Sequence, residues 1–317
     1  MTEPLMRRLQ ARGERLTVGA LPWVAPVYRA MPQVAEVIEF PFQHGGLQWQ
    51  ARRAMAAQLK GRFDAAYVLP NSLKSALIPF LARIPRRAGY QGEARFGLLT
   101  QRLQNPPRDN RPPMVAFYSA LSGEADLDHD RPQLHMDPNA VAQSLADLGL
   151  QPGGYAVFAP GAEYGPAKRW PAAHFAALAQ QLDVPVVLLG SGKERALCEA
   201  IAAPVNAARP GWALNFAGKT TLAQALSAIA ATKTIVSNDS GLMHVAAALG
   251  VPQVAIFGSS SPLHTPPLND RAQVVWLKND ATYQPPLDCA PCFQRDCPLG
   301  HTRCLVDVTP QRVLAAL

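Results

Sequence analysis

Tyr155-Ala156-Val157-Phe158-Ala159, Val184-Pro185-Val186-Val187-Leu188-Leu189, Thr234-Ile235-Val236-Ser237 and Gln253-Val254-Ala255-Ile256-Phe257 are four short apolar runs that follow one another in the second half of the chain. None shows the in-out alternation of a strand with one wet face. Between them lie segments with helical spacing. Pro171–Leu182 turns Phe175, Leu178 and Leu182 to one side, Lys193–Ala203 follows, Leu222, Ala225, Leu226 and Ile229 mark a third helix, and Leu242–Leu249 is a fourth. Continuously apolar strands alternating with helices form a parallel sheet covered on both faces. The reading is therefore an α/β domain, doubly wound and Rossmann-like.

Working outward, Asp137-Pro138 opens a helix, with Asp as N-cap and Pro at the first helical position. The first half is similar but less regular. Thr2–Arg12 is a helix with Leu5, Met6 and Leu9 on one face, and Leu16–Leu21, Val34–Phe40 and Ala65–Leu69 are strands. Asn71-Ser72 caps a helix running to Leu81, with Leu73, Ala76, Leu77 and Phe80 as its buried stripe; Met114–Tyr118 reads as another strand. The polar stretch Ser119–Pro132 is the linker. The expected division is 1–132, 133–307 and a C-terminal helix over 308–317.

A chain of 317 residues suits two domains at ~100–200 residues each. With 48% hydrophobic and 17% charged residues it has core material and too little charge for disorder. No run approaches the ~20 apolar residues of a membrane span, and Met1–Arg8 lacks the apolar centre of a signal peptide. The net charge of +7 favours an anionic partner. Without Lys/Arg blocks or a nucleic-acid-binding signature, that partner is not expected to be nucleic acid.

In open parallel sheets, ligands bind beyond the carboxyl ends of strands. Three loops fit that position: Pro160–Pro171, Gly190-Ser191-Gly192-Lys193-Glu194, and Ser237-Asn238-Asp239-Ser240-Gly241 with His244 one helical turn on. The third is the most informative, because small residues at a helix N-terminus leave main-chain N–H groups free for a phosphate. Simple capping by Asp239 or Ser240 is the other reading. Lys168 and Arg169 precede a helix N-terminus, where cations are poorly placed unless an anion lies nearby. Gly218-Lys219-Thr220 fails as a P-loop because Ala213 occupies the upstream glycine position, and Gly190-Ser191-Gly192 fails as a dinucleotide fingerprint at Arg195. Cys289, Cys292, Cys297 and Cys304, with His301, supply enough ligands for tetrahedral zinc, but the spacing after Cys292 is irregular and no second Cys-x2-Cys pair follows, so reduced thiols packed in a C-terminal loop are the preferred reading and no metal is expected.

Phe158–Ala162 with Lys168-Arg169-Trp170-Pro171, Val187–Ser191, Phe216–Thr220 and Asn238–His244, in that order, resemble the ADP-heptose:lipopolysaccharide heptosyltransferases. Leu69–Ala76 and Cys297–His301 point to the heptosyltransferase II branch. The resemblance implies a GT-B architecture, two Rossmann-like domains facing a cleft. It also implies inverting transfer of L-glycero-D-manno-heptose from ADP-heptose to the phosphorylated inner core of lipopolysaccharide, at the cytoplasmic face of the inner membrane, with no cofactor and no catalytic metal. By motif position, Lys168 and Asp239 are the catalytic residues. Gly161, Ser191, Glu194, Thr220, Thr221, Leu222, Ser240, Gly241, Leu242 and His244 surround the donor, with Glu194 at the ribose and 220–222 near the adenine. Asn71, Lys74 and Arg87 would meet the acceptor, and Arg83, Arg86, Arg95 and Arg102 would steer it. The family also begins with a βα unit carrying the acceptor-activating aspartate. This chain opens in the following helix, so that unit is expected to be missing, leaving a gap in the first sheet and binding stronger than turnover. A different nucleotide sugar, or binding without transfer, is the alternative.

Overall fold

The computed structural model describes residues 1–43, 45–107, 111–124 and 130–317. The chain divides into two compact units, Met1–Asp130 and Arg131–Leu317.

In the first unit α1 (Glu3–Ala11) precedes β1 (Leu16–Ala20), α2 (Ala25–Arg29), β2 (Val34–Glu39), α3 (Trp49–Leu59), β3 (Ala65–Val68), α4 (Leu73–Leu81), β4 (Arg86–Tyr90), β5 (Gln101–Leu103) and α5 (Met114–Ser119). Its strands lie in two parallel sheets, β1-β2 and β3-β4-β5. Met55, Ala56, Leu59, Ile78, Ala82 and Ile84 pack together beneath α3 and α4, with Ile38 of β2 and Ala66 of β3 against them.

Two sequence expectations fail here. Met114–Tyr118 is helical, because a short apolar run carries no period of its own and Pro113 at the N-cap starts a helix as readily as a strand. The proposed linker starts inside this helix, and its residues 125–129 lie outside the described ones. Helix α4 has the expected span but a rotated face. Ala76, Ile78 and Pro79 are buried, while Leu73 and Phe80 are exposed. Its first N–H, from Leu73, donates to Glu93 at 2.8 Å, and Ser72 makes no side-chain cap.

The second unit is regular. Its order is α6 (Pro138–Leu148), β6 (Ala156–Ala159), α7 (Ala172–Ala179), β7 (Val186–Leu188), α8 (Arg195–Ala208), β8 (Ala213–Asn215), α9 (Leu222–Ala230), β9 (Thr234–Asn238), α10 (Gly241–Ala248), β10 (Gln253–Ile256), β11 (Ala272–Val275), α11 (Arg303–Val306) and α12 (Pro310–Leu314). The sheet order is β11-β10-β9-β6-β7-β8, all parallel. Asp137 caps α6 as its sequence predicts, accepting from Asn139 N–H at 3.0 Å. Strands β6, β7 and β10 are wholly buried, which is why their sequences are apolar without alternation. Trp170 and Phe175 meet edge to face at 4.7 Å in the core of this unit.

Strand order fixes where a ligand can sit. From β6 the chain first winds outward through β7 and β8, then returns to pair β9 on the other side of β6. The connections from β6 and β9 thus depart to opposite faces, and a crevice opens between their carboxyl ends.

Candidate active site

Asn238, the last residue of β9, ties the two sides of this crevice together. Its Nδ2 donates to Pro160 O at 2.7 Å and its Oδ1 accepts from Trp170 N–H at 3.0 Å. The loop from β6 to α7 is therefore fastened at both ends to one side chain that is fully buried. That fastening places Lys168, on a single 3-10 turn at Pro166–Lys168, beside Asp239. Lys168 Nζ donates to Asp239 Oδ2 at 2.5 Å, and Thr265 Oγ1 donates to Oδ1 at 3.3 Å. The pair is largely sheltered from water, with side-chain exposures of 20% and 6%. An ammonium has three donors, so Lys168 can hold Asp239 and still face an anion.

Helix α10 begins next to this pair. Ser240 is its N-cap by backbone conformation but caps nothing with its side chain, and its hydroxyl is buried without a partner among the described residues. The capping explanation for Ser240 is thereby removed. Gly241 is exposed, and a Cβ there would meet nothing within 4 Å. Main-chain N–H groups in the first turn of α10 have no intrahelical acceptors. Leu242 and His244 are half-buried on the same turn. Desolvation lowers the His244 imidazole below its ordinary value, with Asp239 opposing the shift, which favours the neutral ring at pH 7.

The Gly190–Glu194 loop meets the β6 loop at Gly161 and the turn before α9 at Gly218. A Cβ on Gly161 would lie 1.6 Å from Glu194 Oε1, so only glycine permits that carboxylate to reach the β6 loop. Glu194 Oε2 accepts from Ser191 N–H at 2.7 Å in a reciprocal capping box. Gly218, at φ +69°, lies so near Gly192 that a Cβ would come 2.7 Å from its Cα. Thr221 caps α9 in a second reciprocal box with Gln224, so its hydroxyl serves that helix; Thr220 and Leu222 flank it, half-buried.

Sequence reasoning quoted Asn238 but gave it no task, and it passed over Ser259, Ser260 and Thr265 after β10. The Ser259 and Ser260 hydroxyls are buried and unpartnered among the described residues. The available signal was a serine run directly after an apolar strand.

In the first unit, Arg95 is buried and donates to Pro70 O at 2.9 Å, to Asn71 Oδ1 at 3.2 Å and to Tyr90 O. It is a structural staple, which corrects its expected steering role. Arg87 spends Nε on Leu98 O and Nη1 on Ile84 O, both at 2.6 Å. Asn71 is held by Arg95 and Asn105, and Lys74 Nζ donates to Gly45 O at 2.9 Å. Arg86 pairs with Glu14, and Arg102 lies over the exposed Phe96 ring.

The parallel-sheet fold agrees with the relatives this chain has. The sequence profile described as glycosyltransferase family 9 (heptosyltransferase) matches residues 52–302. The chain belongs to glycosyltransferase family 9, the heptosyltransferases. It is 42% identical to lipopolysaccharide heptosyltransferase 2 of Salmonella typhimurium, over 100% of this chain and 93% of that one. The solved structure of the ADP-heptose lps heptosyltransferase II of E. coli superposes with a TM-score of 0.83 at 39% identity, covering 99% of this chain and 92% of that chain. A glycosyl transferase family 9 structure from Veillonella parvula, at 21% identity and a TM-score of 0.74, covers 86% of this chain and 81% of its own and shares the fold. This family 9 chain is thus a glycosyltransferase with the α/β, parallel-sheet fold of solved heptosyltransferases. No helix among its described residues is long and apolar enough to cross a membrane.

Proposed function

We propose that this family 9 enzyme transfers L-glycero-D-manno-heptose from ADP-heptose to the inner-core heptose of lipopolysaccharide, with inversion, as heptosyltransferase II. The acceptor hydroxyl oxygen forms a bond to the anomeric carbon and gives up its proton to water, the bond from that carbon to the β-phosphate oxygen breaks, and ADP departs with the electron pair. Negative charge therefore grows on the diphosphate as the bond opens. The observation that carries the reading is the Lys168–Asp239 pair beside the open start of α10.

Lys168 neutralises the departing diphosphate, and Asp239 fixes where its ammonium points. The N–H groups at Ser240, Gly241 and Leu242, with the Ser240 hydroxyl, hold the phosphate oxygens. Preorganised donors of this kind are each worth about 3–4 kcal/mol in a transition state. Neutral His244 offers the sugar a hydrogen bond without adding charge. Gly161, Ser191 and Glu194 border the ribose, and Thr220, Thr221 and Leu222 the adenine. In the first unit, half-buried Lys74 with Asn71 and the remaining donor of Arg87 meet the phosphorylated acceptor, aided by the net charge of +7. Such an acceptor is lipid-anchored, so the enzyme works as a peripheral protein at the inner face of the inner membrane.

Calorimetric titration with ADP-heptose, ADP and a UDP-sugar, paired with an ADP-release assay on heptose-bearing core acceptor, tests the reading. Saturable binding of both adenine nucleotides and acceptor-dependent ADP release are expected. Preference for the UDP-sugar would overturn the donor assignment, and binding without release would leave a nucleotide-sugar binder in place of a transferase.

A further inference from the structure

Four of the five cysteines, Cys289, Cys292, Cys297 and Cys304, come together on one small cavity of about 20 Å³ in the second unit. All four are free thiols. The same cavity is walled by Ala167, one residue before Lys168, and by Ser259 of the turn after β10. Cys304 lies within electrostatic reach of the other three sulfurs. Around Cys297 the chain turns tightly at Pro298-Leu299-Gly300, with Gly300 at φ +71°. The thiolate is the form of cysteine that binds metal.

We propose that these four cysteines form a structural site for one thiolate-preferring cation of the zinc or iron class, distinct from the transfer chemistry. As they stand, no three His, Cys, Asp or Glu side chains of the described residues lie close enough to hold a metal ion. Rotation of the sulfurs into the cavity closes the site, whose volume is on the scale of a single small ion or water. Four sulfurs complete a tetrahedral set without His301, whose Nδ1 already accepts from Arg303 N–H at 3.1 Å.

The location gives the metal a task. Residues 293–295, between the second and third cysteines, brace two loops of the candidate active site. Phe293 N–H donates to Ser259 O at 2.7 Å, and Ala167 N–H donates to Arg295 O at 3.0 Å. Tyr164 Oη donates to Phe293 O at 3.0 Å. A cation tying both ends of this loop would hold the turn that carries Lys168, so the four cysteines are positioning residues.

The test is metal content, read independently of activity. The full-length protein, purified without chelator or metal-affinity resin, should carry about one zinc or iron per chain, the elemental analysis deciding between them. Titration with a mercurial should release that metal, and cobalt substitution should give thiolate charge-transfer bands with the intense d–d bands of a tetrahedral site. C297S and C304S should lose the metal and lower the Tm, while C198S and H301A should keep it. Wild-type protein that binds no zinc or ferrous iron on reconstitution, with all four thiols titrating freely in the folded state, would overturn the proposal. A Cys–Cys disulfide in the folded protein, or loss of metal in H301A, would overturn it as well.

Discussion

Trp170 N–H donates to Asn238 Oδ1 at 3.0 Å, so the end of the β6–α7 loop hangs on the last residue of β9. Because Asn238 also bonds Pro160 O, a single amide spans the crevice that the strand order creates. Substituting N238A leaves two buried main-chain groups unpaired. At about 1–3 kcal/mol for each such group, a loss of roughly 2–6 kcal/mol is expected in denaturant unfolding.

Gly161 is matched to Glu194. G161A puts a methyl where the carboxylate sits, expelling it from the Ser191 capping box. A stability loss of about 1–2 kcal/mol is expected, the scale of a lost cap. In a double-mutant cycle, G161A should cost much less on an E194A background, and additive costs would break the proposed link.

Ser240 separates binding from folding. Its buried hydroxyl has no partner among the described residues, so S240A should leave stability within about 0.5 kcal/mol or raise it slightly. Calorimetry should nevertheless show weaker ADP binding, by about 1 kcal/mol or roughly fivefold, the worth of one hydrogen bond.

Asp239 anchors Lys168 in a site that excludes most water. Removing one partner of a buried pair costs about 3–5 kcal/mol, and the one-fifth exposure of Lys168 reduces this to about 2–3 kcal/mol for D239A. The loss should shrink in K168M/D239A, where no ammonium is stranded.

The second unit was legible in the sequence because its sheet is buried on both faces: runs such as Val186–Leu188 leave no room for another reading. Strands β8 and β11 were missed. Each is short, and Gln273 and Val274 of β11 are exposed, so apolar continuity fails there. The first unit was harder. Helix α3 carries Arg52 and Arg53 within its apolar positions, and Arg52 is buried on main-chain oxygens of Leu47 and Lys74, a use no periodicity reveals. Lys168 and Asp239 were found as members of motifs 71 positions apart, whereas their contact at 2.5 Å depends on β6 and β9 being neighbours. Arg95 was misread because an arginine consumed by carbonyl oxygens looks the same in sequence as one facing solvent.

The central claim is that the Lys168 ammonium stabilises the charge that builds on ADP as the sugar leaves. Steady-state kinetics of K168M with ADP-heptose and a core acceptor, on protein whose Tm confirms folding, tests it most directly. The account predicts a kcat lower by about 10²–10³-fold, equivalent to about 3–4 kcal/mol, with a much smaller change in KM. A kcat close to wild type, with only KM raised, would contradict it.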